Sequence, residues 1–263
     1  MPELPEVETV VQMLAPHLAG RRIVSATFNS RFVTPGDRRK LASRIQGRTI
    51  GAVRRRGKFI VISLDAGTLA VHLGMTGKLL LDGARSEYTH AVFTLDEGIL
   101  LYDDIRQFGR IEWSEQMPRR VARLGPEPLE IGLEDFCARL RRHKARVKPL
   151  LLNQTFLAGL GNIYVDETLF SAGVHPLAIA SRLKAERAAR IYQAMRDVLK
   201  LAIEHRGSSV SDYVDARGER GGFQLLHRVY GREGEPCVAC GAPVKRIVVA
   251  QRGTHYCPKC QSR

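Results

Sequence analysis

Phe59-Ile60-Val61-Ile62-Ser63-Leu64, then Asp65-Ala66-Gly67, then Thr68-Leu69-Ala70-Val71-His72-Leu73 is the stretch that decides the N-terminal fold. Two runs of β-branched and aliphatic residues, separated by Asp and Gly, read as short strands. Segments 23–28, 91–95, 99–102 and 109–113 repeat the pattern, each short and set off by Gly, Asp or Arg. Strands of this length between Arg22 and Trp113 predict an antiparallel sandwich or barrel. Ahead of them, 5–18 reads as a helix. Pro5 suits its first turn, Val7, Val10, Val11, Leu14 and Leu18 share a face, and Gly20 stops it.

Outward from this core the pattern changes. Gly125-Pro126-Glu127-Pro128 interrupts the strands and is read as a linker. Beyond it, 133–145, 149–152, 163–171 and 184–204 carry helical apolar spacing. The Gly-rich basic stretch 217–222 reads as a mobile loop. No internal repeat or low-complexity tract interrupts the chain. The expected class is α+β, an N-terminal helix plus antiparallel β-sandwich followed by a helical domain and a C-terminal zinc hairpin. The expected divisions are 1–125, 130–225 and 229–263.

Lys plus Arg number 41 against 27 Asp plus Glu, a formal charge of +14 over 263 residues. That excess repels itself and points to a polyanion, nucleic acid before an anionic membrane, with a generic basic surface as the competing reading. No apolar run approaches the ~20 residues that cross a bilayer. The start, Met1-Pro2-Glu3-Leu4-Pro5-Glu6, is acidic where a signal peptide is basic, so a cytoplasmic protein, drawn to the nucleoid by DNA, is expected.

Four of the five cysteines form Cys237-x2-Cys240 and Cys257-x2-Cys260, sixteen residues apart. This is four-thiolate zinc spacing, and a redox CxxC pair is the competing reading. Four thiolates leave no coordination position for an activated water, so one structural zinc is expected. Cys137 stands alone in a helical stretch and reads as a small packed residue.

Pro2-Glu3-Leu4-Pro5-Glu6-Val7-Glu8-Thr9 resembles the N-terminus of the formamidopyrimidine-DNA glycosylase and endonuclease VIII family. Other matches occur in the family's order. Arg56-Gly57-Lys58-Phe59 resembles the family's β-hairpin lysine, Val71–Gly77 its intercalation loop, and Asp104–Gly109 its second wedge. Gly159–Tyr164 is similar to its helix–two-turn–helix, and Ala250–Cys257 to its zinc-finger tip. The Leu-Pro-Glu-Val-Glu start and the Arg106/Phe108 wedge favour the oxidised-purine branch over the endonuclease VIII branch. Three positions depart from the pattern: Gln107 where a second Arg is common, Tyr88 where a His precedes the strand that carries His90, and His143 where Lys or Arg is usual.

The resemblance implies a monomeric repair enzyme on duplex DNA with oxidised purines or abasic sites, excising the base and then nicking the strand by β,δ-elimination. A base inside a duplex must be extruded before it can be cut, and the gap filled. Met75, Phe108 and Arg106 are the implied fillers. By residue type alone Met75 and Phe108 read first as core, and only Gly74, Gly77 and Gly109 move them to loop tips. Arg106 offers a guanidinium fork to the two acceptors of an orphaned cytosine, or simply a phosphate contact. Pro2, freed of Met1, is the implied nucleophile, with Glu3 handling protons at the sugar and Glu6 positioning the site. Both acids also read as simple helix-start charges. Lys58 and Arg252 are the implied assistants of elimination, and His72, Tyr88, His90, His143 and Asn162 the implied DNA contacts. Lys58 otherwise reads as a solvated charge on a strand edge, and Asn162 as a helix cap. A non-catalytic zinc-ribbon DNA binder remains the alternative of another class.

Overall fold

Helix α1 (Leu4–Leu18) buries the five apolar side chains whose spacing predicts it. It starts one residue earlier than expected because Glu3 and Glu6 form a reciprocal capping box, supplying acceptors to N–H groups that a helix start lacks. This computed structural model describes residues 1–262, and the chain divides into two compact units. One is Met1–Arg123 with His205–Gln224; the other is Leu124–Glu204 with the chain from Leu225 onward.

In the first unit one sheet runs in the order β1 (Ile23–Phe28), β6 (Thr89–Leu95), β7 (Ile99–Asp103), β5 (Lys78–Leu81). The other runs β2 (Ile50–Arg56), β3 (Phe59–Leu64), β4 (Thr68–His72), β8 (Arg110–Ser114), and every pairing in both sheets is antiparallel. The two strands read from the sequence at 59–64 and 68–73 pair as a hairpin, with Phe59 opposite His72 and Ser63 opposite Thr68. Ile60, Ile62, Leu69 and Val71 from one sheet and Phe93, Leu100 and Tyr102 from the other share a core with α1. Tyr213 and Ala216 join that core, so 205–224 groups with the sheets and not with the helical segment that precedes it in sequence.

Sequence periodicity misses β2, β5 and the helix α2 (Arg38–Ile45), and the reason is shared. β2 and β5 are edge strands, and β2 buries only Ile50 and Val53 among its arginines. α2 buries only Ile45. An element with one wet face and few buried positions leaves little hydrophobic pattern to read.

The loops between strands are fixed by one buried acid. Asp104 accepts hydrogen bonds from Thr76 Oγ1 at 2.5 Å, from the Gly109 N–H at 2.8 Å and from Tyr102 Oη at 3.3 Å. Burial first, and then the neighbouring Asp104, push the Tyr102 phenol well above its ordinary value, so it serves as a donor. The loops are so close that side chains are excluded. A Cβ on Gly109 would overlap Tyr102 Oη, and one on Gly74 would lie 2.5 Å from the Gly109 nitrogen.

After a short helix, α3 (Arg119–Ala122), the second unit holds α4 (Leu133–Arg141), α5 (Val147–Leu152), α6 (Asn162–Ser171) and α7 (Ala185–Glu204). α4 stops at Arg141, four residues before the expected end, ahead of an exposed cationic run. α6 is buried continuously from Ile163 to Phe170. Two acids on it anchor neighbouring segments. Asp166 pairs with Lys148 at 2.6 Å, both fully buried, and Glu167 accepts the N–H groups of Arg228, Val229 and Tyr230. Strands β9 (Lys245–Val249) and β10 (Arg252–Tyr256) pair as the terminal hairpin.

The contact between loops gives a test. Gly109→Ala should destabilise the protein by roughly 1–3 kcal/mol through overpacking. Adding Tyr102→Phe, which removes the nearest atom, should recover part of that loss in urea unfolding. No recovery would mean that the backbone at His72, not Tyr102, sets the limit.

Candidate active site and nucleic-acid interface

Pro2, Glu3 and Glu6 are buried together at the start of α1. Glu6 Oε2 accepts the Glu3 N–H at 2.7 Å and Oε1 accepts the Ser208 N–H at 2.7 Å. One carboxylate thus ties the N-terminus to the 205–224 segment. The tie is close: Gly207 has φ +77°, and a Cβ there would lie 2.6 Å from Glu6 Oε1. Tyr213 Oη donates to Glu6 O at 3.3 Å from the same segment.

Lys58 lies in the two-residue turn between β2 and β3, not on a strand, and is only 6 % exposed. A solvated charge is therefore excluded. The turn is tied to α1 by Arg55, whose Nε meets Glu8 Oε2 at 2.7 Å while Nη1 donates to Gly57 O at 3.2 Å. A largely buried guanidinium held by a carboxylate fixes geometry better than an exposed pair.

His72 pairs opposite Phe59, with its ring on the phenyl at 4.9 Å. Burial, then the charges of Lys58 and Arg120, lower its pKa to about 4. It is neutral at pH 7. The Gly74 N–H donates to Nδ1 at 3.1 Å, which assigns the proton to Nε2. As an N–H donor, not a cation, His72 suits a phosphate or sugar oxygen.

The three expected fillers lie at loop tips and touch one another. Met75 and Phe108 are 39 % and 58 % exposed, so core packing is excluded for both. The Arg106 guanidinium lies 4.5 Å from the Phe108 ring centre, and its Nη1 is 3.3 Å from Met75 Sδ. His90 Nε2 meets Asp104 O at 3.0 Å, while Tyr88 gives its carbonyl to the Asp104 N–H at 3.0 Å and leaves its ring exposed.

In the second unit Asn162 opens α6, and its Nδ2 donates to Gly253 O at 2.9 Å. Lys148 Nζ donates to the same carbonyl at 3.1 Å. Arg252, exposed, is the neighbouring residue at the hairpin tip, so Asn162 and Arg252 are brought together. His143 is exposed, with its ring edge-on to Phe156 at 5.4 Å.

The sulfurs of Cys237, Cys240, Cys257 and Cys260 all lie within 4.8 Å of one another, with Cys237–Cys260 at 3.9 Å and Cys240–Cys257 at 3.5 Å. Zn–S bonds of ~2.3 Å in a tetrahedron put sulfurs about 3.8 Å apart, so the four fit one zinc and are too far apart for disulfides.

Sequence reasoning passed over Asp104, Asp166 and Lys148. Each is a charged residue within or beside an apolar or Gly-rich motif, but such residues are mostly exposed and are fully buried only when paired, so the sequence carried little signal for them.

The profile of the formamidopyrimidine-DNA glycosylase N-terminal domain matches residues 1–111. That of the formamidopyrimidine-DNA glycosylase H2TH domain matches 124–214, and a zinc finger found in FPG and IleRS matches 234–263. The chain is 58 % identical to a formamidopyrimidine-DNA glycosylase of Solibacter usitatus, covering 100 % of both chains, and 46 % identical to that of Herpetosiphon aurantiacus, again covering 100 % of both. Among solved structures, the MutM (Fpg) protein of Thermus thermophilus is 42 % identical with a TM-score of 0.90 over 99 % of this chain and 98 % of that one. A complex between Lactococcus lactis Fpg and DNA containing an abasic site is 36 % identical, with a TM-score of 0.90 over 99 % and 100 %.

The geometry sets two expected outcomes. Purified protein should contain one zinc per chain, and Cys260→Ser should lose it while the first unit keeps its thermal transition; full zinc retention would discard the four-thiolate site. The stabilisation carried by neutral His72 is complete above about pH 6.5 and is lost as pH falls towards 4, because its folded pKa of about 4 lies below the ordinary 6.5. His72→Gln should therefore lose less stability than the parent between pH 6.5 and 4. An NMR midpoint for His72 at or above 6 would contradict its burial.

Proposed function

The chain belongs to the formamidopyrimidine-DNA glycosylase family of base-excision repair enzymes, and from that premise we propose that it excises oxidised purines, 8-oxoguanine opposite cytosine and formamidopyrimidines, through a Schiff base at Pro2 and then nicks the strand by β,δ-elimination. The observation that carries this reading is the burial of Pro2 beside Glu3, with the Glu3 N–H held by Glu6 at 2.7 Å.

While Met1 is attached, the Pro2 nitrogen is a tertiary amide without a basic lone pair. Removal of Met1 makes it a secondary amine. A chain-terminal amine has a pKa near ~7.9 against ~10.4 for lysine, so a roughly 300-fold larger fraction of it is unprotonated at neutral pH. Its lone pair attacks C1′, the glycosidic C–N bond breaks with its electrons leaving on the base, and the proton left on the Pro2 nitrogen passes to the departing base. Glu3 hands a proton to the sugar ring oxygen as the ring opens. The resulting iminium has no N–H to lose, stays cationic, and accepts electrons as the C2′ proton passes to the Glu3 carboxylate left by ring opening and the 3′ phosphate is expelled. The second elimination expels the 5′ phosphate.

The protein's other groups support these steps. Lys58, held by the Arg55–Glu8 pair, contacts a phosphate beside the lesion and assists elimination. Arg252 and Asn162 bind phosphate from the hairpin tip and the start of α6. Met75, Arg106 and Phe108 fill the gap left by the extruded nucleotide, and Arg106 reads the opposite base. His72, Tyr88, His90 and His143 line the DNA surface. The 1–125 segment, with 205–224 grouped to it, serves as the catalytic part, and the rest of 130–225 and the 229–263 segment serve as the helix–two-turn–helix and zinc-finger parts.

Pro2→Gly should retain duplex binding and lose most strand cleavage. Borohydride with an 8-oxoguanine duplex should trap the parent at residue 2, and a form keeping Met1 should yield no adduct. A trapped adduct at Lys58 would reassign the nucleophile.

A further inference from the structure

Gln107 sits between the two residues of the wedge in a conformation that a non-glycine residue seldom adopts. Its φ is +53°, in the left-handed region. That turn brings Arg106 and Phe108, on either side of it, into a stack at 4.5 Å. The side chain supplies what the backbone conformation costs. The Ser30 hydroxyl donates to Gln107 Oε1 at 2.6 Å, across 77 residues of sequence, and Ser30 is 5 % exposed.

Ser30 is itself held. Its Oγ accepts the N–H groups of Phe32 at 3.1 Å and Val33 at 3.2 Å. Val33 O in turn accepts the Ile111 N–H on β8 at 2.8 Å. From the other side the Gln107 N–H donates to Asp104 O at 3.2 Å, and the Arg106 N–H to Thr76 Oγ1 at 3.1 Å. The turn is thus clamped between the Asp104 network and the 30–34 loop. Where the family often carries a second arginine, this chain carries a neutral amide turned back onto the protein.

We propose that Gln107, through Ser30, is a positioning residue that presets the Arg106/Phe108 wedge for the base opposite the lesion. This rests on the reading of Arg106 as the contact to that base. A fork-shaped donor discriminates between bases only if its plane is fixed before it meets them. A second arginine would contribute a phosphate contact, which strengthens binding to all partners equally. The Ser30–Gln107 bond instead acts on the choice between partners.

The test measures single-turnover excision of 8-oxoguanine opposite cytosine and opposite adenine, with duplex affinity and melting temperature for each variant. Gln107→Met removes the acceptor and leaves both N–H contacts of Ser30 in place; Ser30→Ala removes the donor. Each should narrow the cytosine-to-adenine rate ratio by roughly 2- to 12-fold, the span of one net hydrogen bond. The double variant should narrow it no further than a single one, and Ser30→Thr should stay near the parent. Equal loss on both partners, with an unchanged ratio, would make the bond merely structural and overturn the proposal. Arg106→Ala separates the two claims. If it narrows the ratio while Gln107→Met does not, the positioning role fails alone. If Arg106→Ala leaves the ratio unchanged, the reading beneath it fails too.

Discussion

A buried carboxylate must be satisfied by donors, and Asp104, which has no ion-pair partner among the described residues, meets that constraint with neutral ones by drawing two loops together. Thr76 comes from one loop, Gly109 from the other, and Tyr102 from the strand leading to the acid. The donors cannot separate without leaving a desolvated charge unpaired, which is the more expensive outcome. The apolar tips at Met75 and Phe108 can therefore stay exposed without collapsing into the core. The interior bond pattern, not the tips' own packing, holds them out.

The second unit applies the same principle with an ion pair. Lys148 and Asp166 are both fully buried, and each also bonds the hairpin: Lys148 to Gly253 O, Asp166 to the His255 N–H. A buried pair adds little net stability, since desolvation offsets attraction, but losing one partner is severe. Its consequence here is geometric. The tip bearing Arg252 is registered against α5 and α6 by one donor from each to a single carbonyl, while the zinc site closes the other end of the same hairpin.

Legibility followed burial. The helix from Leu4, the strands Phe59–Leu64 and Thr68–His72 and the four-cysteine site were readable because each writes a fixed spacing into the chain. β2, β5 and α2 bury too little to write one. The candidate site divides the same way. Its residue types and their order were present in the motifs. That Lys58 is enclosed in a turn and that His72 is neutral depended on neighbours distant in sequence.

The α+β class, the zinc ligands and the family were readable from the chain alone, because periodicity, ligand spacing and ordered motifs are local properties. The tertiary structure alone decided that Tyr213 and Ala216 complete the N-terminal core, that Glu6 joins the first helix to Ser208, and that Ser30 meets Gln107. The two hydrogen bonds among these span 202 and 77 residues of sequence. No short-range pattern encodes them, because what selects them is the need of each buried polar group for a partner once the core has closed.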